Sequence, residues 1–223
     1  MSRLRNILKR VLPSQLAIRK LPRSAHHCAL LTFDDGPHPE VTPEVLDRLD
    51  RFQARAVFFV VGHRIVLAPW LLKEILARGH LLDNHSFLHA NGRQLAFLEY
   101  RRDVLNCQRA IYQQCGYEPR LFRPPYGVMS FPSLFAPRTA KLRVVTWTLD
   151  IEDWRCRSKE EASRLGERLG QRVEPRDIIL LHDDNPSVLE ILDVALPIVA
   201  ERRIDLGGGL GTLECKGERG VRR

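Results

Sequence analysis

The chain has 223 residues, of which 44% are hydrophobic and 28% are charged, the balance of an ordinary globular domain with a buried core. This composition excludes a disordered chain, and no apolar run predicts a membrane-spanning helix or a signal sequence. The net charge of +8 is concentrated at the ends, because residues 1–25 hold seven basic side chains and no acidic one. Residues 215–223 add four basic side chains and one acidic, so the middle of the chain is close to neutral.

The charge pattern divides the sequence into three predicted parts: a basic N-terminal extension at 1–25, one folded domain at 26–214, and a basic tail at 215–223. Residues 3–12 have the pattern of a short basic amphipathic helix lying on a membrane surface. A helix packed on the domain, or a frayed end, explains the same pattern.

Cysteine usage indicates the compartment. The five cysteines form no CxxC pair, and their number is odd, which favours a reducing environment. We therefore expect a cytoplasmic protein, with peripheral contact to a membrane as a further hypothesis.

Apolar strand-like runs alternate with helical patterns along the chain. Strands are predicted at 28–33, 55–61, 80–84, 120–123, 143–149 and 177–182, and helices at 41–52, 64–78, 98–115, 158–171 and 187–202. Thr42 before Pro43 is typical of a helix start, and Gly79 and Gly116 are typical of helix ends. The alternation predicts an α/β fold, with a parallel sheet and helices outside it.

Polar motifs follow five of these predicted strands. Two adjacent acids, Asp34 and Asp35, follow the first strand, His85 follows the third, Arg123 the fourth and His182 the sixth. The fifth strand runs into the acidic segment 150–154. In a closed barrel these strand ends share one rim, which is where such folds place their active sites.

The histidines of the second motif suggest a metal site. His85 and His89 are four residues apart, so they share a face if the segment is helical. Two imidazoles and one carboxylate make three protein ligands, a set that suits Zn²⁺ and other first-row divalent ions. The adjacent acids can take different directions as the strand ends, so one can bind a metal while the other accepts a proton.

Taken together, the motifs resemble those of the polysaccharide deacetylase family, carbohydrate esterase family 4, which is built on the NodB-homology domain. The resemblance extends from Cys28 to about Leu213. It is carried by five blocks in the family's order: TFDDGP at 32–37, HSFLH at 85–89, RPPYG at 123–127, DIEDW at 150–154 and LLH at 180–182. The resemblance implies a distorted (β/α) barrel with an incomplete set of repeats and an active site at the C-terminal rim of the strands.

The resemblance also implies a role for each matching residue. Asp35, His85 and His89 would hold a divalent metal, with Zn²⁺ the first choice and Co²⁺, Ni²⁺ or Mn²⁺ as alternatives. Asp34 would be the general base that takes a proton from the attacking water. Arg123 would pair with Asp34 and hold it in place.

The remaining blocks supply the second half of the implied site. The backbone N–H of Tyr126 would help to stabilise the oxyanion. His182 would be the general acid that protonates the leaving amine, with Asp153 orienting it. Trp154 and Leu180 would enclose the acetyl methyl group, although ordinary core packing explains both equally well.

The implied function is a metal-dependent hydrolase that removes N-acetyl groups from N-acetylglucosamine-type residues of an oligo- or polysaccharide. Three alternatives are an O-acetyl esterase on xylan or another polysaccharide, a non-catalytic carbohydrate-binding protein, and a binder of nucleic acid or membrane through the basic ends. The catalytic set is complete, which disfavours the second alternative. The basic ends hold no aromatic residues, which argues against nucleic acid.

Two features depart from the family pattern. Asp83 stands where a glycine often precedes the Asn-His of the second block, and it would either add an acid near the metal or cap a turn. The glycine-rich segment 207–211 predicts a flexible stretch where the family often has an ordered last strand, which puts closure of the barrel in question.

Overall fold

The computed structural model of this chain describes residues 16–214. Its sheet has seven strands, all paired in parallel, in the spatial order β5-β4-β3-β2-β1-β7-β6. The strands are β1 (Leu30–Asp34), β2 (Ala56–Val60), β3 (Leu81–Asn84), β4 (Leu121–Phe122), β5 (Arg143–Val144), β6 (Leu149–Asp150) and β7 (Ile178–His182). The predicted parallel sheet is confirmed.

Helices follow the strands and cover the outside of the sheet. They are α1 (Val41–Arg51), α2 (Trp70–Ala77), α3 (Phe97–Cys115), α4 (Phe131–Thr139), α5 (Lys159–Arg172), α6 (Ser187–Glu201) and α7 (Gly211–Glu214). Three 3₁₀ helices lie at Gly62–Leu67, Pro125–Gly127 and Asp153–Arg155. Between residues 16 and 214, no helix combines the length and apolar character needed to cross a bilayer.

The sheet is curled into a half-barrel, and the connection between β5 and β6 shows why. These strands occupy opposite edges of the sheet, yet only residues 145–148 join them. A segment of this length reaches about 18 Å at most, so the two edges have to lie near each other. The single strand predicted at 143–149 is therefore wrong, because its two halves pair with different neighbours, β4 and β7.

The interior of the half-barrel is filled by side chains that alternate with those facing the helices. On β1, Leu30 points into the interior cluster while Leu31 and Phe33 pack beneath the helices. Leu21 and Ala25, from the predicted N-terminal extension, belong to the same interior cluster. The packed part of the chain thus includes residues before 26, while the division into extension, domain and tail stays a prediction.

The glycine-rich segment is held in place at the N-terminal end of the barrel. The N–H groups of Gly207 and Gly208 donate to Asp205 Oδ1 at 2.7 and 3.0 Å. Further along, Leu210 and Leu213 are buried in the interior cluster. The expected flexible stretch is instead a hydrogen-bonded turn that covers this end of the barrel.

The start of helix α1 differs from the sequence prediction. The helix begins at Val41 with Glu40 at its N-cap, so the predicted Thr42 cap is wrong. Thr42 lies inside the first turn, where its hydroxyl donates to Asp183 at 2.5 Å. Pro43 stays in the first turn, where its missing N–H costs nothing.

Two other helices also differ. The helix predicted from residue 64 starts at Trp70, because Gly62–Leu67 forms a 3₁₀ helix first. Helix α4 was not predicted, because two prolines interrupt the helical sequence pattern of this segment. Ser130 caps it by accepting the Ser133 N–H, a recognisable start signal followed by a proline in the first turn.

His80 is a buried histidine outside the five motifs, and its protonation is coupled to folding. His80 accepts the Ala56 N–H at Nδ1, and its ring stands edge-on to Phe58 at 5.5 Å. Burial, followed by the charge of Arg55, lowers the pKa of His80 to about 4. The fold therefore favours the neutral imidazole.

We predict that His80→Asn flattens the acid limb of the stability curve. The pKa of His80 is lower in the folded than in the unfolded chain. The contribution of the neutral imidazole to the free energy of unfolding is therefore complete above about pH 6.5 and is lost as the pH falls through 4. The loss is about 3 kcal/mol. Urea unfolding at pH 7, 5.5 and 4.5 measures it, with exposed His26→Asn as the control. Equal slopes in both variants would contradict this role.

Candidate active site

The motif residues meet at the C-terminal rim of the half-barrel, as predicted. Asp34 and His182 are the last residues of β1 and β7, and the sheet register places them directly side by side. His85 follows β3, and Arg123 follows β4. Neighbouring parallel strands thus deliver their chemical groups to one edge.

Asp35, His85 and His89 form a compact cluster. Their ligand atoms all lie within 4.8 Å of one another. Asp35 Oδ1 is 3.0 Å from His89 Nε2 and 3.4 Å from His85 Nε2. One carboxylate and two imidazoles converging in this way form a donor set that suits a divalent cation.

The surroundings of the cluster also fit a cation. His85 Nδ1 donates a hydrogen bond to the Arg123 carbonyl oxygen at 2.8 Å. The other ring nitrogen, Nε2, therefore carries the lone pair, and this lone pair points to the cluster. Within residues 16–214, no hydrogen-bond partner meets the buried Asp35 Oδ1.

A loop, not a helix, brings the two histidines together. Ser86 and His89 have φ angles of 67° and 54°, which lie in the left-handed region. Asn84 anchors this loop: its side chain accepts the Ser86 N–H at 2.8 Å and donates to the Val104 carbonyl at 2.9 Å. The segment is not helical, so the condition for a shared helical face is not met, but the loop still brings the two imidazoles together.

Asp34 is held from inside the barrel by a fully buried arginine. Arg123 Nη1 lies 2.8 Å from Asp34 Oδ1 and 2.7 Å from Thr32 Oγ1, and its guanidinium lies 4.2 Å from the centre of the Phe59 ring. Burial lowers the pKa of Arg123, while the charge of Asp34 opposes that effect. The second oxygen of Asp34 faces the cluster, 3.7 Å from His85 Nε2.

His182 is held by Asp153 through two contacts. Its Nδ1 lies 2.8 Å from Asp153 Oδ1, and its backbone N–H donates to Asp153 Oδ2 at 2.8 Å. Burial disfavours the imidazolium, but the hydrogen bond and charge of Asp153, with Asp34 and Asp35, raise the pKa of His182 to about 10. This arrangement favours a protonated imidazole with Nε2 left for a substrate.

Three further predicted residues line the same rim. Tyr126 has a φ of 57°, and its ring lies 4.5 Å from that of His89. Trp154 is 47% exposed beside the Asp153 turn. Leu180 is buried on β7, two residues before His182 and so on the same face of the strand.

Asp83 is directed away from the Asp35–His85–His89 cluster, toward the start of β4. It is buried in β3, and its Oδ1 accepts the N–H groups of Arg120 and Leu121 at 2.8 and 2.7 Å. Burial raises its pKa to about 7, against the effect of these two donors. Of the two readings of Asp83, the structure supports the structural one: its carboxyl fixes the start of β4.

Two residues of the site were missed by sequence reasoning. Thr32 supports Arg123, and its position two residues before Asp34 places both on one strand face, a signal that was available. Asp183 is buried against Gly36, where a Cβ would lie 2.4 Å from its carboxylate oxygens. This contact explains why the turn after Asp35 requires glycine.

Comparison with known proteins supports the geometric result. Residues 22–145 match the polysaccharide deacetylase family. The chain belongs to this family. A chitooligosaccharide deacetylase of Sinorhizobium fredii is 37% identical over 172 residues, 76% of this chain and 79% of that protein.

Other polysaccharide deacetylases are similar over different shares of their length. The peptidoglycan-N-acetylglucosamine deacetylase PgdA of Listeria monocytogenes is 33% identical over 86% of this chain, which spans only 40% of that relative. The structure of peptidoglycan deacetylase PdaC from Bacillus subtilis superposes with a TM-score of 0.77 at 30% identity, covering 87% of this chain and 93% of the other. The family 4 carbohydrate esterase from Streptomyces lividans gives 0.73 at 27% identity, over 83% and 96%.

We predict that Asp153→Asn lowers the pKa of His182. The substitution keeps the shape of the partner but removes its negative charge, so we expect a drop of about 1 to 3 pH units. An NMR titration of the His182 imidazole in the metal-free protein measures it. Glu152→Gln is the matched control, because it removes an exposed acid of the same loop that pairs with Arg155. An unchanged pKa in Asp153→Asn would refute the assigned pairing.

Proposed function

We propose that this polysaccharide deacetylase is a metal-dependent hydrolase that removes N-acetyl groups from N-acetylglucosamine-type residues of a glycan. One observation carries the proposal: the Asp35–His85–His89 cluster is flanked by an arginine-held acid, Asp34, and an aspartate-held imidazole, His182. Two proton-handling groups of opposite function beside a metal site suit amide hydrolysis. The names of the Listeria and Sinorhizobium relatives support this substrate class.

Asp35, His85 and His89 would hold the cation, with Zn²⁺ as our first choice and Co²⁺, Ni²⁺ or Mn²⁺ as alternatives. When bound, such an ion polarises a carbonyl and lowers the pKa of water. The protein supplies the rest of the reaction, beginning with proton removal. Asp34 would take a proton from the attacking water, because Arg123 fixes the position of that carboxylate beside the cluster.

The later steps fall to the residues on the other side of the cluster. As the water oxygen bonds to the acetyl carbon, the Tyr126 N–H would donate to the developing oxyanion. His182 would then give its proton to the amide nitrogen as the C–N bond breaks, leaving a free amine and acetate. Asp153 would stabilise the charged imidazole before transfer, and Trp154 and Leu180 would enclose the methyl group.

An ester substrate is the second candidate. The same base, acid and metal ligands would cleave an O-acetyl group on xylan or another polysaccharide, and the Streptomyces structural neighbour is named a carbohydrate esterase. An ester has a better leaving group and depends less on a general acid. The pair Asp153–His182 serves either reaction, so the names of the N-acetylglucosamine and chitooligosaccharide deacetylase relatives carry our preference for the amide.

The membrane contact, the cytoplasmic location and the basic tail stay predictions. Residues 1–15 and 215–223, on which they largely depend, lie outside the described residues. We propose an acetylated oligo- or polysaccharide as the partner of the described domain and assign it no nucleic acid.

Acetate release tests the function directly. Metal-stripped protein, with and without added Zn²⁺, is given N-acetyl chitooligosaccharides and acetylated xylan side by side. We expect Zn²⁺-dependent release from the chitooligosaccharides. Release from xylan alone would replace the amidase with the esterase, and metal-independent release would contradict the metal site.

We predict that Asp34→Asn binds Zn²⁺ but loses turnover. Removing a general base lowers the rate by about 10² to 10⁴-fold, whereas Asp34 is not among the three cluster ligands. Acetate assays together with metal analysis measure both properties. Asp193→Asn, which removes a surface acid paired with Arg48, is the control and keeps both. Persisting activity in Asp34→Asn would refute the base assignment.

A further inference from the structure

Three consecutive carbonyl groups of the turn that carries the two acids each accept a hydrogen bond. The Asp183 N–H donates to the Asp34 carbonyl at 3.3 Å, and the Val61 N–H donates to the Gly36 carbonyl at 2.9 Å. The middle carbonyl, that of Asp35, accepts from Arg64 Nη1 at 2.8 Å. Two of these donors are backbone N–H groups, whereas Arg64 donates through its side chain. A substitution at Arg64 can therefore remove its hydrogen bond.

The backbone of Asp35 has particular need of such support. Its φ angle of 74° lies in the left-handed region, which is costly for a residue with a Cβ and persists where neighbours enforce it. The Oδ1 atom of the same residue is the point where His85 and His89 converge. A change in the backbone at Asp35 would therefore displace the carboxylate from both imidazoles.

Arg64 is itself fixed on two sides. Its Nη1 lies 2.9 Å from Asp184 Oδ2, two residues after His182. It belongs to the 3₁₀ helix Gly62–Leu67, whose first N–H groups bond to the histidine loop: Gly62 to the Ser86 carbonyl and His63 to the Phe87 carbonyl, both at 3.0 Å. The segment that carries Arg64 thus touches both sources of cluster ligands.

We propose that Arg64, held by Asp184, is a positioning residue for Asp35 and sets the geometry of the metal cluster. The inference rests on the metal site of the proposed function. An ordinary surface ion pair contributes little to stability. Arg64 differs from one because its guanidinium also donates to the main chain of a cluster residue and is two-thirds buried with Asp184 beside it.

The zinc affinity of the metal-stripped 223-residue chain tests the proposal and is measured by competition with a chromogenic chelator. Loss of groups that orient metal ligands typically weakens binding by about 10- to 100-fold, and we expect this for Arg64→Ala. Arg64→Lys keeps one cationic donor and should recover part of the affinity. Asp184→Asn keeps Arg64 but frees its guanidinium, so a smaller loss is expected.

Arg78→Ala is the matched control. Arg78 is also a partly buried arginine, and it pairs with Asp47, Asp50 and Glu74 away from the rim. We expect this variant to lose stability but keep its zinc affinity. The visible spectrum of bound Co²⁺ gives a second readout, because it reports ligand geometry: it should change in Arg64→Ala and Asp184→Asn and stay the same in Arg78→Ala.

The outcomes separate this inference from the proposed function. Zinc binding that is tight in the unsubstituted protein, absent in His85→Ala, and equal in Arg64→Ala and Arg78→Ala would overturn the positioning role alone. Failure of the unsubstituted protein to bind Zn²⁺ or Co²⁺ would overturn the metal site and the inference together. Should Arg64→Ala not fold, Arg64→Lys and Asp184→Asn decide: unchanged affinity and spectrum in both refute the proposal.

Discussion

The site depends on one buried arginine that holds two reactive groups at once. The side chain of Arg123 binds Asp34, while its carbonyl oxygen accepts from His85. The proposed base and one proposed metal ligand are therefore positioned by the same residue. Because Arg123 also contacts Thr32 on β1 and Phe59 on β2, its interior contacts fix it relative to the centre of the sheet.

Such an ion pair is a poor source of stability, since removing two charges from water costs several kcal/mol for each ion. Its value lies in orientation. With one Asp34 oxygen bound to Arg123, the other is directed to the cluster, 3.7 Å from His85 Nε2. The Asp153–His182 pair is arranged in the same way on the neighbouring strand, because Asp153 holds Nδ1 of His182. Each proposed proton-handling group thus has one atom bound to its partner residue and a second atom left for the reaction.

Much of this arrangement could be predicted from sequence, because strands and motifs leave local signals. Apolar runs alternating with helical patterns predicted the parallel sheet, and polar groups at the strand ends predicted a site at its C-terminal rim. The division of 143–149 into β5 and β6 left no such signal, since periodicity does not show which neighbour a residue pairs with. The role of Arg64 could not be predicted for a related reason. Its contact with the Asp35 carbonyl forms only when the chain after β2 folds over the turn that carries the two acids.

The short strands on one side of the sheet bear on how the site would fail. β4 and β5 have two residues each, and β4 meets β3 at a single residue pair, Asn84 with Phe122. The segment from which Arg123 extends is therefore held mainly by β3: Asp83 accepts the Arg120 and Leu121 N–H groups, and the Asn84 carbonyl accepts the Arg123 N–H. A displacement of β3 at these two residues would move Arg123, and Asp34 and His85 with it, so this edge passes its position on to the site as one unit.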